Sequence, residues 1–122
     1  MLIKKNGLKA PKNYWNADIE ERNRISNNCG PSGGLGDLIP DKVFGTDLTV
    51  ACEIHDWMYA NGDYPRKVSD DAFHENLRTL FDSGNVGLLG KLVAFVYYAG
   101  VRLFGSSSYK GVGSSMTQVA VE

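Results

Sequence analysis

Two stretches of helical periodicity with almost nothing between them constrain this chain more than any other feature. The first is predicted to begin at Thr46 or Asp47, both good N-caps, and carries Leu48, Val50, Ala51, Ile54, Met58 and Tyr59 until Gly62 stops it. The second takes Pro65 into its first turn and runs to Asp82, with Phe73, Leu77, Leu80 and Phe81 on its apolar face and Gly84 at its end. Gly62, Asp63 and Tyr64 alone separate them, a connection that suits antiparallel neighbours. The expected fold is therefore mainly α and centred on an antiparallel helix hairpin. A third helix, much more apolar, is expected over Val86 to Phe104. No run alternates convincingly with period two.

Composition sets the outer limits. The chain has 122 residues, 43% of them hydrophobic, which allows one compact domain with a real core. Its net charge of −1 comes from 13 basic and 14 acidic side chains spread along the sequence, so no basic field exists to grip nucleic acid. The 14 glycines outnumber the 4 prolines and cluster without a fixed period, which excludes collagen and solenoids. The 2 cysteines, Cys29 and Cys52, are too few for a disulfide scaffold or a four-cysteine zinc site, and form either one bridge or two thiols. Residues 1–27 are polar and lysine-rich, read as an extended arm with one short helix near Asp18 to Arg24; residues 105–122 read as a flexible tail.

Chemistry concentrates on the first helix of the hairpin. At 3.6 residues per turn, Cys52 lies one turn before His55 and Tyr59 one turn after it, while Asp56 is rotated by about 100°. The second helix supplies a complement. Asp70 falls on the apolar stripe with Phe73 and Leu77, whereas Asp71 falls with His74 and Glu75 on the polar side. A carboxylate facing a core needs a partner. His55 and Asp70 are almost equally far from the connecting turn, and a rise of about 1.5 Å per residue puts them at nearly the same height. Asp70 can then accept a hydrogen bond from one imidazole nitrogen and leave the other to act as a base, with Tyr59 in the same network. The bland alternatives are an Asp that caps its helix and a His-Asp pair on a solvated edge.

Between Asn27 and Pro40 the sequence concentrates turn formers and keeps neither helical nor strand periodicity. If Cys29 bonds to Cys52, this loop is drawn toward Asp56. Glycine-rich backbone offering carbonyl oxygens beside one carboxylate is hard-oxygen coordination suited to Ca2+, with an affinity of roughly 10⁻⁴ to 10⁻³ M. A tight turn without metal is the plainer reading.

Cys29-Gly-Pro-Ser-Gly-Gly followed by Asp47-Leu-Thr-Val-Ala-Cys-Glu-Ile-His-Asp-Trp-Met-Tyr59 resembles the calcium loop and catalytic helix of the secreted phospholipase A2 superfamily, in its sparse-cysteine bacterial and viral branch. That superfamily places Cys-Gly-x-Gly before a helix carrying Cys-x-x-His-Asp-x-x-Tyr, and a later Asp completes a dyad, as Asp70-Asp71-Ala72-Phe73 does here. The resemblance covers roughly residues 28–81. It implies a catalytic domain over residues 28–104, with His55 as general base, Asp70 as its orienting partner, Tyr59 as support, and the Gly30 amide near the developing oxyanion. It further implies Ca2+ held by Asp56 and the carbonyls of Asn28, Gly30 and Ser32, and a Cys29–Cys52 bridge. The family's usual aromatic before the first cysteine is Asn28 here, its second loop glycine is Ser32, and Pro31 can shift the register so that the third carbonyl is that of Gly33.

The chemistry so implied is calcium-dependent hydrolysis of the sn-2 ester of glycerophospholipids. Histidine, with a reference pKa of about 6.5, can take a proton from water at pH 7, and no Gly-x-Ser-x-Gly elbow offers a serine nucleophile. The partner is a phospholipid membrane surface, bound peripherally. Leu35, Leu38, Ile39, Val43 and Phe44 are candidates for an apolar rim or equally for core. The apolar helix 86–104 approaches membrane-spanning length, yet Lys91, Arg102 and three glycines point to a packed helix, with an interfacial one as the alternative. The opening segment shows no signal peptide, so the expectation is a secreted chain whose signal has been trimmed or one exported by a dedicated machine, with an immunity or carrier protein as partner, and a cytoplasmic location is the alternative. The alternative function is a catalytically inactive relative that binds membranes or protein. A transition-metal site from His55, Asp56, Asp70 and His74 is a third, although His74 is predicted to face away.

Overall fold

The computed structural model describes residues 2–25, 40 and 42–105. Asn28, Cys29, Gly30, Ser32 and Gly33 of the expected calcium loop lie outside the described residues, as do Leu35, Leu38 and Ile39 of the expected rim and the tail after Gly105. The described part is mainly helical with two small antiparallel sheets.

In chain order it contains β1 (Leu2–Lys5), β2 (Leu8–Pro11), α1 (Lys12–Asn16), α2 (Ile19–Ile25), β3 (Lys42–Val43), β4 (Thr46–Asp47), α3 (Thr49–Asn61), α4 (Arg66–Ser83) and α5 (Leu88–Phe104).

The opening segment departs most from expectation. Instead of an extended arm, β1 and β2 form a hairpin with Leu2 opposite Pro11 and Lys5 opposite Leu8. Asn6 and Gly7 make the turn with φ of 54° and 83°, the left-handed conformation that a two-residue hairpin loop requires. The Asn76 side chain then acts as a partner for β2: its Oδ1 accepts from the Lys9 amide at 2.7 Å and its Nδ2 donates to the Lys9 carbonyl at 2.9 Å. Ala10 and Tyr14 are fully buried against Ile54, Trp57, Met58 and Ala72. Trp57 Nε1 donates to Asn13 Oδ1 at 3.0 Å, and the Tyr14 hydroxyl donates to Glu53. The short helix expected near Asp18 is α2, and Asp18 Oδ1 accepts the Glu21 amide at 2.8 Å in the manner of an N-cap.

The central helices follow the sequence closely. Residues Thr46 and Asp47 pair with β3 rather than opening the helix, so α3 starts at Thr49, and Asp47 Oδ1 accepts the Thr49 amide at 2.9 Å from just outside. It ends at Gly62 in the left-handed conformation, with φ of 65°. Pro65 sits at the N-cap of α4, and Gly84 at its C-cap. Leu48, Ala51 and Cys52, at the start of α3, cluster with Phe73, Leu77 and Phe81 of α4; Ile54 and Met58, farther on, cluster with Ala72. Early residues of one helix thus meet late residues of the next.

The third helix packs through a narrow stripe. Gly90, Ala94 and Val101 are its buried residues, while Leu88, Leu89, Leu92, Phe95, Val96, Leu103 and Phe104 are exposed. The reason is the close approach of α5 to α4: a Cβ on Gly90 would meet Phe81 Cβ at 2.7 Å. Gly90, Ala94 and Val101 make the buried contact with Val93 and Tyr97 packed partly buried beside them, and the other large apolar residues are left outside. So α5 is neither a fully packed core helix nor, among the described residues, a helix long and apolar enough to cross a membrane.

Candidate active site

His55 and Asp70, read from sequence as level across the turn, come together. Imidazole Nε2 lies 2.7 Å from Asp70 Oδ1. The Tyr59 hydroxyl donates to the same oxygen at 2.5 Å. His55 is 8% exposed and Asp70 not at all. A carboxylate only accepts, so Nε2 is the nitrogen that carries the hydrogen in this pair, and in a neutral imidazole Nδ1 is then the one with the lone pair.

Packing fixes the imidazole as firmly as the hydrogen bond does. The His55 ring makes tilted contacts with Tyr59, with centroids 4.2 Å apart, and with Phe73, at 4.6 Å. Tyr59 comes from the next turn of α3 and Phe73 from the turn of α4 after Asp70, so helical repeat together with the packing of α3 on α4 sets this arrangement. Burial, and then the charge of Asp70, pushes the Tyr59 hydroxyl up. It therefore remains a donor to Asp70 throughout the working range of a protein.

Two arginines complete the surroundings of Asp70, and sequence reasoning assigned a role to neither. Arg102 Nη1 donates to Oδ2 at 2.9 Å. Arg66 Nη1 stands 3.7 Å from the same oxygen, and the residue is 2% exposed. Its guanidinium donates at 3.0 Å to the carbonyls of both Val101 and Arg102. A local signal existed for Arg66, which precedes Asp70 by one helical turn. For Arg102 there was none, because its approach depends on how α5 docks.

Asp56 follows His55 and is half-buried. Its carboxylate is a hard oxygen donor of the kind Ca2+ takes. Cys52, one turn earlier on α3, is disulfide-bonded, and the chain's other cysteine is Cys29. Among the described residues no group of three or more His, Cys, Asp or Glu side chains is placed to hold a metal ion. A site of one carboxylate and several carbonyls does not depend on such a group, so the donor type at Asp56 fits calcium.

The transition-metal constellation is not assembled. His74 stacks on Tyr98 with centroids 4.8 Å apart and stands near Phe95, on the α5 side of α4, whereas His55 is enclosed by α3 and α4. Of the expected rim, Val43 packs against the core and Phe44 is exposed. No family model, no curated protein and no solved structure matches the chain.

Proposed function

We propose that this chain is a calcium-dependent phospholipase A2 that hydrolyses the sn-2 ester of glycerophospholipids. The observation that carries the proposal is the buried His55 Nε2–Asp70 Oδ1 contact of 2.7 Å, which leaves Nδ1 with the lone pair a general base needs. It stands together with the resemblance of residues 28–81 to that superfamily.

In this reading His55 Nδ1 takes a proton from a water molecule as the water oxygen attacks the ester carbonyl carbon. Asp70 keeps its negative charge, holds the tautomer and stabilises the imidazolium. When the tetrahedral intermediate collapses, the glycerol oxygen leaves and receives that proton from His55, so the base is regenerated and no acyl-enzyme forms. Tyr59 holds Asp70 in place. Asp56 and the carbonyls of Asn28, Gly30 and Ser32, or Gly33, would hold Ca2+, which when bound polarises the ester carbonyl, engages the phosphate and stabilises negative charge on oxygen. The Gly30 amide would add a donor to that oxygen.

The exposed apolar face of α5 also suits a second reading, a noncatalytic module that binds a membrane or a protein. Fatty-acid release from phosphatidylcholine vesicles separates the two. Release in millimolar Ca2+ that stops with chelator and in His55→Gln is expected. Release indifferent to both would overturn the mechanism, and vesicle binding with no release would favour the binding module.

A further inference from the structure

We propose that Arg102 is a positioning residue for the His55–Asp70 pair: it occupies Asp70 Oδ2 and thereby fixes the torsion at which the carboxylate meets the imidazole. The inference rests on the phospholipase reading for its kinetic consequence, but its geometric content stands apart from it.

Asp70 is completely buried, and its two oxygens have different duties. Oδ1 accepts from His55 and Tyr59, both on α3; Oδ2 accepts from Arg102 at 2.9 Å. A carboxylate held at one oxygen alone can swing about its last torsion, which is broad and nearly two-fold. Held at both, it cannot. Arg102 approaches from α5 and is 32 residues from Asp70 in sequence, so the last turn of α5 is what fixes the orienting group of a base carried by α3.

Arg102 is itself held in place. The final carbonyls of a helix lack partners within it. Here the Arg102 carbonyl, and the Val101 carbonyl that also accepts the Gly105 amide, accept from the buried Arg66 guanidinium at 3.0 Å each. Arg66 lies one turn before Asp70 on α4. So α4 clamps the end of α5 through Arg66, and α5 returns a guanidinium to Asp70 on α4. The two cations also offset the large cost of burying a carboxylate. Arg66 cannot easily replace Arg102, because turning fully onto Oδ2 would release the carbonyls it holds.

The test uses the full chain in its oxidised form. Arg102→Met keeps the packing of the stem and removes the donor. The chain has 2 histidines, so the imidazole nitrogens of His55 can be followed by ¹H–¹⁵N NMR with His74 as an internal control. In the wild type His55 is expected as a single tautomer protonated at Nε2; in Arg102→Met it becomes a mixture while His74 is unchanged. On phosphatidylcholine/phosphatidylglycerol vesicles kcat falls about 10- to 100-fold, the scale of a small misplacement of a catalytic group, with KM within about twofold. Arg102→Lys, which can still reach Oδ2 with one charged donor, restores the single tautomer and most of kcat.

A folded Arg102→Met that keeps one Nε2–H tautomer and wild-type kcat overturns the proposal. Should that variant not fold, Arg102→Gln, which loses both the charge and the reach to Oδ2, takes its place: mixed tautomers with lowered kcat support the proposal, and a single tautomer with wild-type kcat overturns it. A wild type with no fatty-acid release whose tautomer still depends on Arg102 would refute the phospholipase reading and support the positioning role.

Discussion

The same three residue types, Asp, His and Tyr, gather at two faces of α4 with opposite outcomes. On one face, Asp70 meets His55 and Tyr59 in the interior. On the other, Asp71 accepts from the Tyr98 hydroxyl and the Lys67 ammonium at 2.8 Å each, and His74 stacks on Tyr98. The surface set looks like a loosened copy of the buried one. What differs is which group the carboxylate holds. Asp71 is taken up by a tyrosine and an exposed lysine, and its contacts are worth little in water. Asp70 has no water to share, so every bond it makes fixes a geometry. The proposed chemistry draws on the second arrangement, because a general base needs one defined tautomer and a buried, fully engaged carboxylate holds it.

The comparison breaks if the two histidines prove equivalent. His55→Gln is expected to lower fatty-acid release by about 10²- to 10⁴-fold, the usual contribution of a general base, while His74→Gln stays within about twofold of wild type. Equal losses would show that the buried face has no special role. Next in size is Asp70→Asn, which leaves Arg102 and Arg66 beside a neutral amide in the interior and should cost about 3–5 kcal/mol in urea unfolding. Asp71→Asn should cost no more than about 1 kcal/mol. The tyrosines sharpen the contrast further: Tyr59→Phe is expected to lose about 1–2 kcal/mol, and Tyr98→Phe about 0.5 kcal/mol or less.

The smallest effect lies where α4 meets the amino-terminal hairpin. Hydrogen bonding from Lys9, helped by Lys4, holds the Glu75 carboxyl below its usual range. A depressed folded value means stability present above the unfolded carboxyl pKa and lost as pH falls through the folded one. Glu75 is 40% exposed, so screening limits the effect. Glu75→Gln should lower stability by about 0.2–1 kcal/mol at pH 7 and by nothing measurable well below pH 4. A difference that persists in acid would assign Glu75 a role other than its charge.

The helices and the buried pair were legible because both follow from local repeat. The 3.6-residue period put Asp70 on the apolar stripe and Tyr59 one turn from His55, and Gly62 and Gly84 marked the ends. The amino-terminal hairpin carried a signal, Asn6-Gly7, that strands of only four residues on either side were too short to support by alternation. Arg102 could not be read at all. Its charge counted against a membrane span, but its contact with Asp70 exists only once the small face of α5, at Gly90 and Ala94, has docked.

The central claim is a regiospecific hydrolysis by water under His55 control. It is tested most directly by mass analysis of the products from a phosphatidylcholine with different acyl chains at sn-1 and sn-2, incubated with the oxidised chain and Ca2+. The expected result is the free sn-2 acid with the matching sn-1 lysophospholipid. Release of the sn-1 acid alone, or no release from a folded, calcium-supplied chain, would contradict it.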